Sequence, residues 1–522
     1  MNTKTIFSGA FIIFGGNLLS SLLGLTREIL SAAYYGANIE MDAYLFAYTV
    51  PAIVLSFVSG IITMGFLPLY IKQRVNSIKS ASLFLSNVVN LLMLLLILII
   101  VFCYCFSGPL AAFFAIQPSS RVIIETLLWI LLPSILFFAL SYVFSSVLNA
   151  LNHFTVPAFL TAFNNICVIV CIAVLHPYMG IYSVALGFMV GTAFQVLIQV
   201  PKLRKLGITY SFRIRIYDQD LKRMLTLSIP IIGLVVIDQC VFLATRFFAT
   251  LLDAGSASAL NYATRIMLLP VALFGTAIVT ASYPSTVLMQ AENRNKEYNL
   301  IVSVCIKSLL LILMPIMFIC MAFSSNIIKL LFERGAFDST ATHMTAIAFM
   351  ILSVGIVATP MKEFMNKLFF SKEMIRTPIH CSILFMITFI SSCLILVPFL
   401  KYIGIATASS IALLVTLVFQ LIKYNALDPD NKIQMEGMFV WKISAASITS
   451  TGFSYLLYAL CMRLDALQPL WALLTAGCMG LGLLLYLAII KSLQIKEIDF
   501  VVAKLLSKYK FIKRRGTLTN EN

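Results

Sequence analysis

A chain of 522 residues in which 61% are hydrophobic and only 11% charged is not an ordinary soluble protein, since such proteins keep about a quarter of their residues charged. Its formal net charge of +16 does not point to nucleic acid, because the basic residues collect in alternate loops between apolar runs, as orientation in a membrane requires. The short alternating segments of a membrane β-barrel are absent from the sequence, so the expected fold class is all-α, a polytopic integral membrane protein.

In chain order the apolar runs predict about fourteen transmembrane helices. The first seven lie at 6–34, 42–72, 81–106, 121–149, 156–175, 180–200 and 226–252. The remaining seven lie at 257–289, 299–323, 340–370, 379–398, 402–424, 439–462 and 468–490. The first run starts directly after Met1-Asn2-Thr3-Lys4 and contains Asn17, Ser20 and Ser21. No small-residue cleavage site follows a short core, so it reads as a retained span rather than a signal peptide. Several runs exceed what a hydrocarbon core of about 30 Å requires, which predicts tilt or kinks at Pro51, Pro68, Pro133, Pro230, Pro270 and Pro360.

Charge placement sets the expected orientation. With a cytoplasmic N-terminus, the inside segments hold Lys72, Arg74 and Lys79, then the basic stretch from Lys202 to Arg223, then Arg294 and Lys296. They continue with Lys372, Arg376, Lys423 and Lys432, and end in a lysine-rich tail from Lys491 to Arg515. The outside loops hold only Arg121, Lys329, Arg334, Lys401 and Arg463. This asymmetry predicts an even number of spans with both termini cytoplasmic. The tail mixes Val501, Leu505 and Phe511 with lysines, and is either bound to an anionic leaflet or a solvated basic end.

An internal repeat is visible. Arg27, Gly36 and Pro51 recur 219 residues later as Arg246, Gly255 and Pro270, while Pro157 and Pro177 recur 221 residues later as Pro378 and Pro398. The expected organisation is an N-lobe at 1–222, a second lobe with spans 7–12 at 223–425, two appended spans at 426–492 and a basic tail at 493–522. Six helices per copy preserve orientation, so the copies form a parallel repeat, an architecture that holds substrate near the midplane between halves.

No cluster of carboxylates or histidines sits beside a large polar loop, so an enzyme is not expected. The eleven cysteines form no CxxC pair and the four histidines have no ligand spacing, so neither a metal nor a cofactor is expected. The informative residues are polar and ionisable groups inside spans, where a charge costs about 2.5–3.5 kcal/mol at a helix centre. Asn17, Ser20, Ser21, Gly24, Arg27, Glu28 and Ser31 form one stripe on the first helix. Asp42 opens the second span, the seventh carries Asp238, Gln239, Thr245 and Arg246, and the eighth carries Ser258, Asn261, Tyr262 and Arg265. Spans 1, 2, 7 and 8 are therefore the polar ones, two from each half, and are expected to line a central cavity. There Arg27, Arg246 and Arg265 would meet an anionic group, because guanidinium forks match phosphate oxygens. The alternative reading makes them internal struts, Arg27 paired with Glu28 or Asp42 and Arg246 with Asp238. Glu363 and Lys367 have the i,i+4 spacing of a local ion pair beside Lys362, and Lys307 is expected to snorkel to an interface.

The same stretches resemble the MurJ/MviN family, the lipid II flippases of the multidrug/oligosaccharidyl-lipid/polysaccharide exporter superfamily. The resembling pieces are Leu23-Gly24-Leu25-Thr26-Arg27-Glu28, Met41-Asp42-Ala43, Leu148-Asn149-Ala150 and the run from Gln199 to Gly207. In the second half they are the run from Gly255 to Arg265, Phe332-Glu333-Arg334-Gly335-Ala336-Phe337 and Arg376-Thr377-Pro378. The resemblance implies a V-shaped, two-lobed transporter that moves a polyprenyl-pyrophosphate-linked peptidoglycan precursor from the cytoplasmic to the periplasmic leaflet. Arg27, Glu28, Asp42, Ser258 and Arg265 match the family's functional positions, and Arg246 joins them from the stripe. The implied partners are the lipid-linked glycan and membrane lipids, not nucleic acid, for a monomer in the bacterial inner membrane. The chain departs from the family pattern at Ser20-Ser21, at Pro51-Ala52-Ile53-Val54-Leu55-Ser56, and at Thr245 and Thr264, where acids occur in relatives. A flippase for another polyprenyl-linked oligosaccharide is the alternative; a drug or cation antiporter would need an acidic cavity where this one is basic.

Overall fold

The computed structural model describes residues 3–115, 117–215, 218–374, 376–427 and 437–493, and among these no strand occurs. Its helices are α1 (Thr3–Tyr35), α2 (Ile39–Asn76), α3 (Ile78–Cys105), α4 (Ser107–Phe114), α5 (Ser120–Ala150), α6 (Thr155–Met179), α7 (Tyr182–Lys205) and α8 (Gln219–Thr250). They continue as α9 (Ser256–Ala291), α10 (Asn295–Ala322), α11 (Ser324–Phe332), α12 (Ser339–Leu352), α13 (Gly355–Ser371), α14 (Arg376–Leu400), α15 (Tyr402–Leu427), α16 (Gly437–Cys461) and α17 (Trp471–Ser492). Thirteen of the predicted spans each fall on one of these helices, and the one at 340–370 is divided between α12 and α13. Eleven are long and apolar enough to cross a bilayer, and α12 with α13, bent by 41°, makes a twelfth. Helices α1 and α16, of 33 and 25 residues, stand where the first and thirteenth spans were expected but outside that count. The expected tail segment, from 494 onward, lies outside the described residues.

The predicted kinks take a specific form. Pro270 leads straight into a π turn, Val271–Gly275, and Pro51 precedes another, Ile62–Phe66, which runs into Pro68. A proline removes one backbone donor and crowds the preceding carbonyl, and a widened turn absorbs the mismatch without ending the helix. The bend between α12 and α13 lies at Ser353 and Val354, ahead of Pro360 rather than on it.

Positive-φ residues stand at spacings close to the one read from the sequence: Gly36 and Gly255 (φ +65° and +89°), Asn152 and Glu373 (+60° and +58°), Gly180 and Lys401 (+52° and +50°). The short helices α4 and α11 begin at Ser107 and Ser324, close to the same offset. Turns of this kind constrain the chain more than apolar helix faces do, since few residues adopt positive φ without strain.

The chain packs into two compact units. The first comprises Met1–Arg265, Leu331–Thr345 and Ser382–Ala408, and the second Ile266–Leu330, Ala346–Cys381 and Ser409–Asn522. In the first, Phe66, Tyr70, Leu132, Ile135, Val143 and Val147 form a core at 0% exposure. In the second, α10 packs against α9, α13 and α16, and the Tyr486 hydroxyl donates to the Leu311 carbonyl at 2.8 Å. The expected Glu363–Lys367 pair is present at 3.4 Å. Lys307 rests its ammonium over the Phe439 ring at 5.1 Å. Every ionisable residue singled out for substrate lies in the first unit.

Candidate functional site

The site is built on the turn between α1 and α2. Gly36 takes positive φ there, and the Asn38 side chain caps α2 by accepting from the N–H groups of Glu40 and Met41 at 3.0 and 3.1 Å. One turn on, Asp42 is 0% exposed. Its carboxylate accepts from the Gly255 N–H at 2.7 Å, the Ser258 N–H at 2.7 Å and the Ser258 hydroxyl at 2.5 Å. A side chain of α2 thus caps the N-terminus of α9, where orphan donors and the helix dipole favour a negative charge. A Cβ on Gly255 would stand 2.3 Å from the Ala37 carbonyl oxygen, so only glycine fits. The Tyr262 hydroxyl closes the joint by donating to the Gly36 carbonyl at 3.1 Å.

The Phe332–Phe337 run docks on the same joint. The Ala336 N–H donates to the Ala33 carbonyl at 2.8 Å, and Gly335, at φ +61°, brings its backbone against Ala33. Phe332 and Phe337, 0% and 1% exposed, pack on the Tyr262 ring with centroids 5.2 and 5.7 Å away. The spacing of that motif follows from this docking: two aromatic anchors separated by a turn that only glycine can make.

This joint positions the charged residues. Glu28, 5% exposed, meets the Arg27 guanidinium at 2.5 Å and the Arg265 Nε at 3.6 Å. Arg27 also donates to the Asn165 side-chain oxygen at 3.2 Å, and Asn165 is held by donating to the Ser20 carbonyl at 3.1 Å. Arg265 is the open member, with 51% of its side chain exposed against 21% for Arg27. Arg246 lies over the Phe242 ring at 5.2 Å, and its buried Nε has no hydrogen-bond partner. Two guanidiniums, Arg27 and Arg265, therefore share one carboxylate, Glu28, while the oxygens of Asp42 are occupied by the cap.

The structure brings all six sequence-derived residues into one unit but divides their parts. Arg27, Glu28 and Arg265 form a linked ion group, whereas Asp42 and Ser258 spend their polar atoms on each other. The part played by Asn165 was not legible in the sequence, since the Asn164-Asn165 pair inside an apolar run gives no sign of what either will face. Thr245 and Thr264 turn their hydroxyls back to the carbonyls of Val241 and Leu260 at 2.9 and 2.7 Å. Neither position adds a negative charge to the group.

A family model described as MurJ, lipid II flippase, matches residues 31–478. The probable lipid II flippase MurJ of Vibrio cholerae is 25% identical over 534 aligned residues, covering 96% of this chain and 98% of that one. Among solved structures, a lipid II flippase MurJ in an inward closed conformation matches with a TM-score of 0.80 at 25% identity, over 93% of this chain and 99% of that one. An inward-facing MATE family transporter shares the fold alone, with a TM-score of 0.66 at 14% identity over 80% and 99%.

Proposed function

The chain belongs to the MurJ family of lipid II flippases, and from that premise we propose that it carries lipid II from the cytoplasmic to the periplasmic leaflet with the precursor's pyrophosphate seated on Arg265 and Arg246. One observation supports the reading above others: a single buried carboxylate, Glu28, stands against two guanidiniums, Arg27 and Arg265. A pyrophosphate cannot leave water without compensating cations. Arg265 is half exposed and holds Glu28 only at 3.6 Å, so it can exchange that contact for a bidentate one to phosphate. Arg246 offers an Nε that has no protein partner. Arg27 keeps Glu28 and Asn165 and fixes where the carboxylate stands, contributing its charge to the same anion. Asp42 and Ser258 act as positioning residues. The proposal includes the duplicated organisation, six helices to 222 and six to 425, both termini cytoplasmic, and a monomer working in the bacterial inner membrane.

The test is replacement of the resident flippase in depleted cells, with periplasmic exposure of lipid II read by an externally added lipid II-cleaving enzyme. The chain is expected to restore exposure, and Arg265→Ala to abolish it at normal protein level. Restoration by Arg265→Ala would overturn the phosphate role. No restoration by the unaltered chain, with export of another polyprenyl-linked glycan instead, would overturn lipid II as substrate.

A further inference from the structure

The connection between α7 and α8 does not hang in solvent. Residues 208–215 run extended along the first three turns of α3, and four side chains of that helix bind their backbone. The Thr209 and Ser211 N–H groups donate to the Ser82 and Ser86 hydroxyls at 3.3 and 3.1 Å. Asn90 donates to the carbonyls of Ser211 and Arg213 at 2.9 and 3.2 Å, and its oxygen meets the Tyr210 hydroxyl. Asn87 both donates to the Arg215 carbonyl at 3.0 Å and accepts from its N–H at 2.7 Å. The register has a simple origin. Four helical residues rise about 6 Å and two extended residues about 6.6 Å, so Ser82, Ser86 and Asn90 keep step with 209, 211 and 213.

Ser82, Ser86, Asn87 and Asn90 are 2–7% exposed although they lie in an apolar span. The stripe satisfies the strap's backbone groups that face α3, those of Thr209, Ser211, Arg213 and Arg215, so the outer edge of the strap suits the polar boundary of a bilayer rather than its core. The strap's free surface differs in character from the stripe. Phe212 is 86% exposed, Tyr210 56% and Ile214 49%, with Arg213 and Arg215 exposed between and beside them.

We propose that residues 208–215 form a membrane-inserted strap that binds anionic phospholipids, with Phe212 and Ile214 among the acyl chains and Arg213 and Arg215 on the phosphates. Aromatic tips and snorkelling arginines at one level are what a bilayer boundary selects. The surrounding basic stretch, Lys202 to Arg223 with only Asp218 and Asp220 opposing it, is complementary to an anionic leaflet. This surface is separate from the arginine group and independent of which glycan is moved.

The full-length protein carrying the photoreactive residue p-benzoylphenylalanine at 212 is reconstituted in vesicles of phosphatidylethanolamine and phosphatidylglycerol and irradiated. The same residue at Val170, an exposed position on α6, serves as the apolar lipid-facing control. Phospholipid adducts are expected at both positions, enriched in phosphatidylglycerol at 212 only. R213Q and R215Q are each expected to lower that enrichment about fivefold. Because all three positions are exposed, folding is checked by the Val170 adduct in each variant. Lipid adducts at 170 with none at 212 would overturn insertion, and adducts at 212 without lipid preference would overturn anionic recognition.

Discussion

Replacing Asp42 by alanine separates a residue that holds the site from one that touches substrate. The carboxylate is fully buried and accepts from two backbone N–H groups and one hydroxyl. Asp42→Ala leaves both backbone donors without a partner, at about 1–3 kcal/mol each, so the loss is about 2–6 kcal/mol. Ser258→Ala removes a single hydroxyl bond and leaves both backbone donors satisfied, which costs about 1 kcal/mol. The double variant is expected to melt close to Asp42→Ala alone, since the hydroxyl has lost its carboxylate already. The assay is the temperature at which detergent-solubilised protein leaves the monodisperse peak, with the amount in the membrane measured beside it. Asp42→Ala melting together with the unaltered chain, with transport lost, would show that Asp42 contacts substrate and that the capping assignment is wrong.

Arg265→Ala should abolish transport at normal melting temperature, because a half-exposed group holding one contact at 3.6 Å adds little to stability, and Arg265→Lys should retain part of it in the same exposure assay. Gly335→Ala should destabilise strongly, its Cβ standing 2.2 Å from the Ala33 carbonyl oxygen, whereas Gly180→Ala, at φ +52° and ψ −134° with nothing within 4 Å, should cost backbone strain alone, about 1–3 kcal/mol; detergent melting compares the two. Asn165→Ala removes the anchor of Arg27 and should lower transport by more than it lowers protein level. Lys401→Ala, which breaks an exposed contact to Asp253 at 2.7 Å, should leave melting unchanged.

The positions of the helices could be read from the chain because apolar length is a local property, whereas the break that divides the span at 340–370 into α12 and α13 could not. Gly36 and Gly255, 219 residues apart, were conspicuous for a related reason: both mark turns whose positive φ restricts the residue type. Residue types in the site were legible too, since arginines inside apolar runs are costly and therefore conspicuous. Partnership was not. That Glu28 serves Arg27 and Arg265 together depends on α1 and α9 meeting across more than two hundred residues. Asp42 and Ser258, grouped by sequence with the substrate residues, are joined as cap and helix end because tertiary packing sets α2 against the start of α9. Ser82, Ser86, Asn87 and Asn90 read as scattered polar residues in a span until the strap at 208–215 is laid on them. A hydrogen bond needs its two groups within about 3 Å in a suitable orientation, and for residues distant in the chain only the fold determines that.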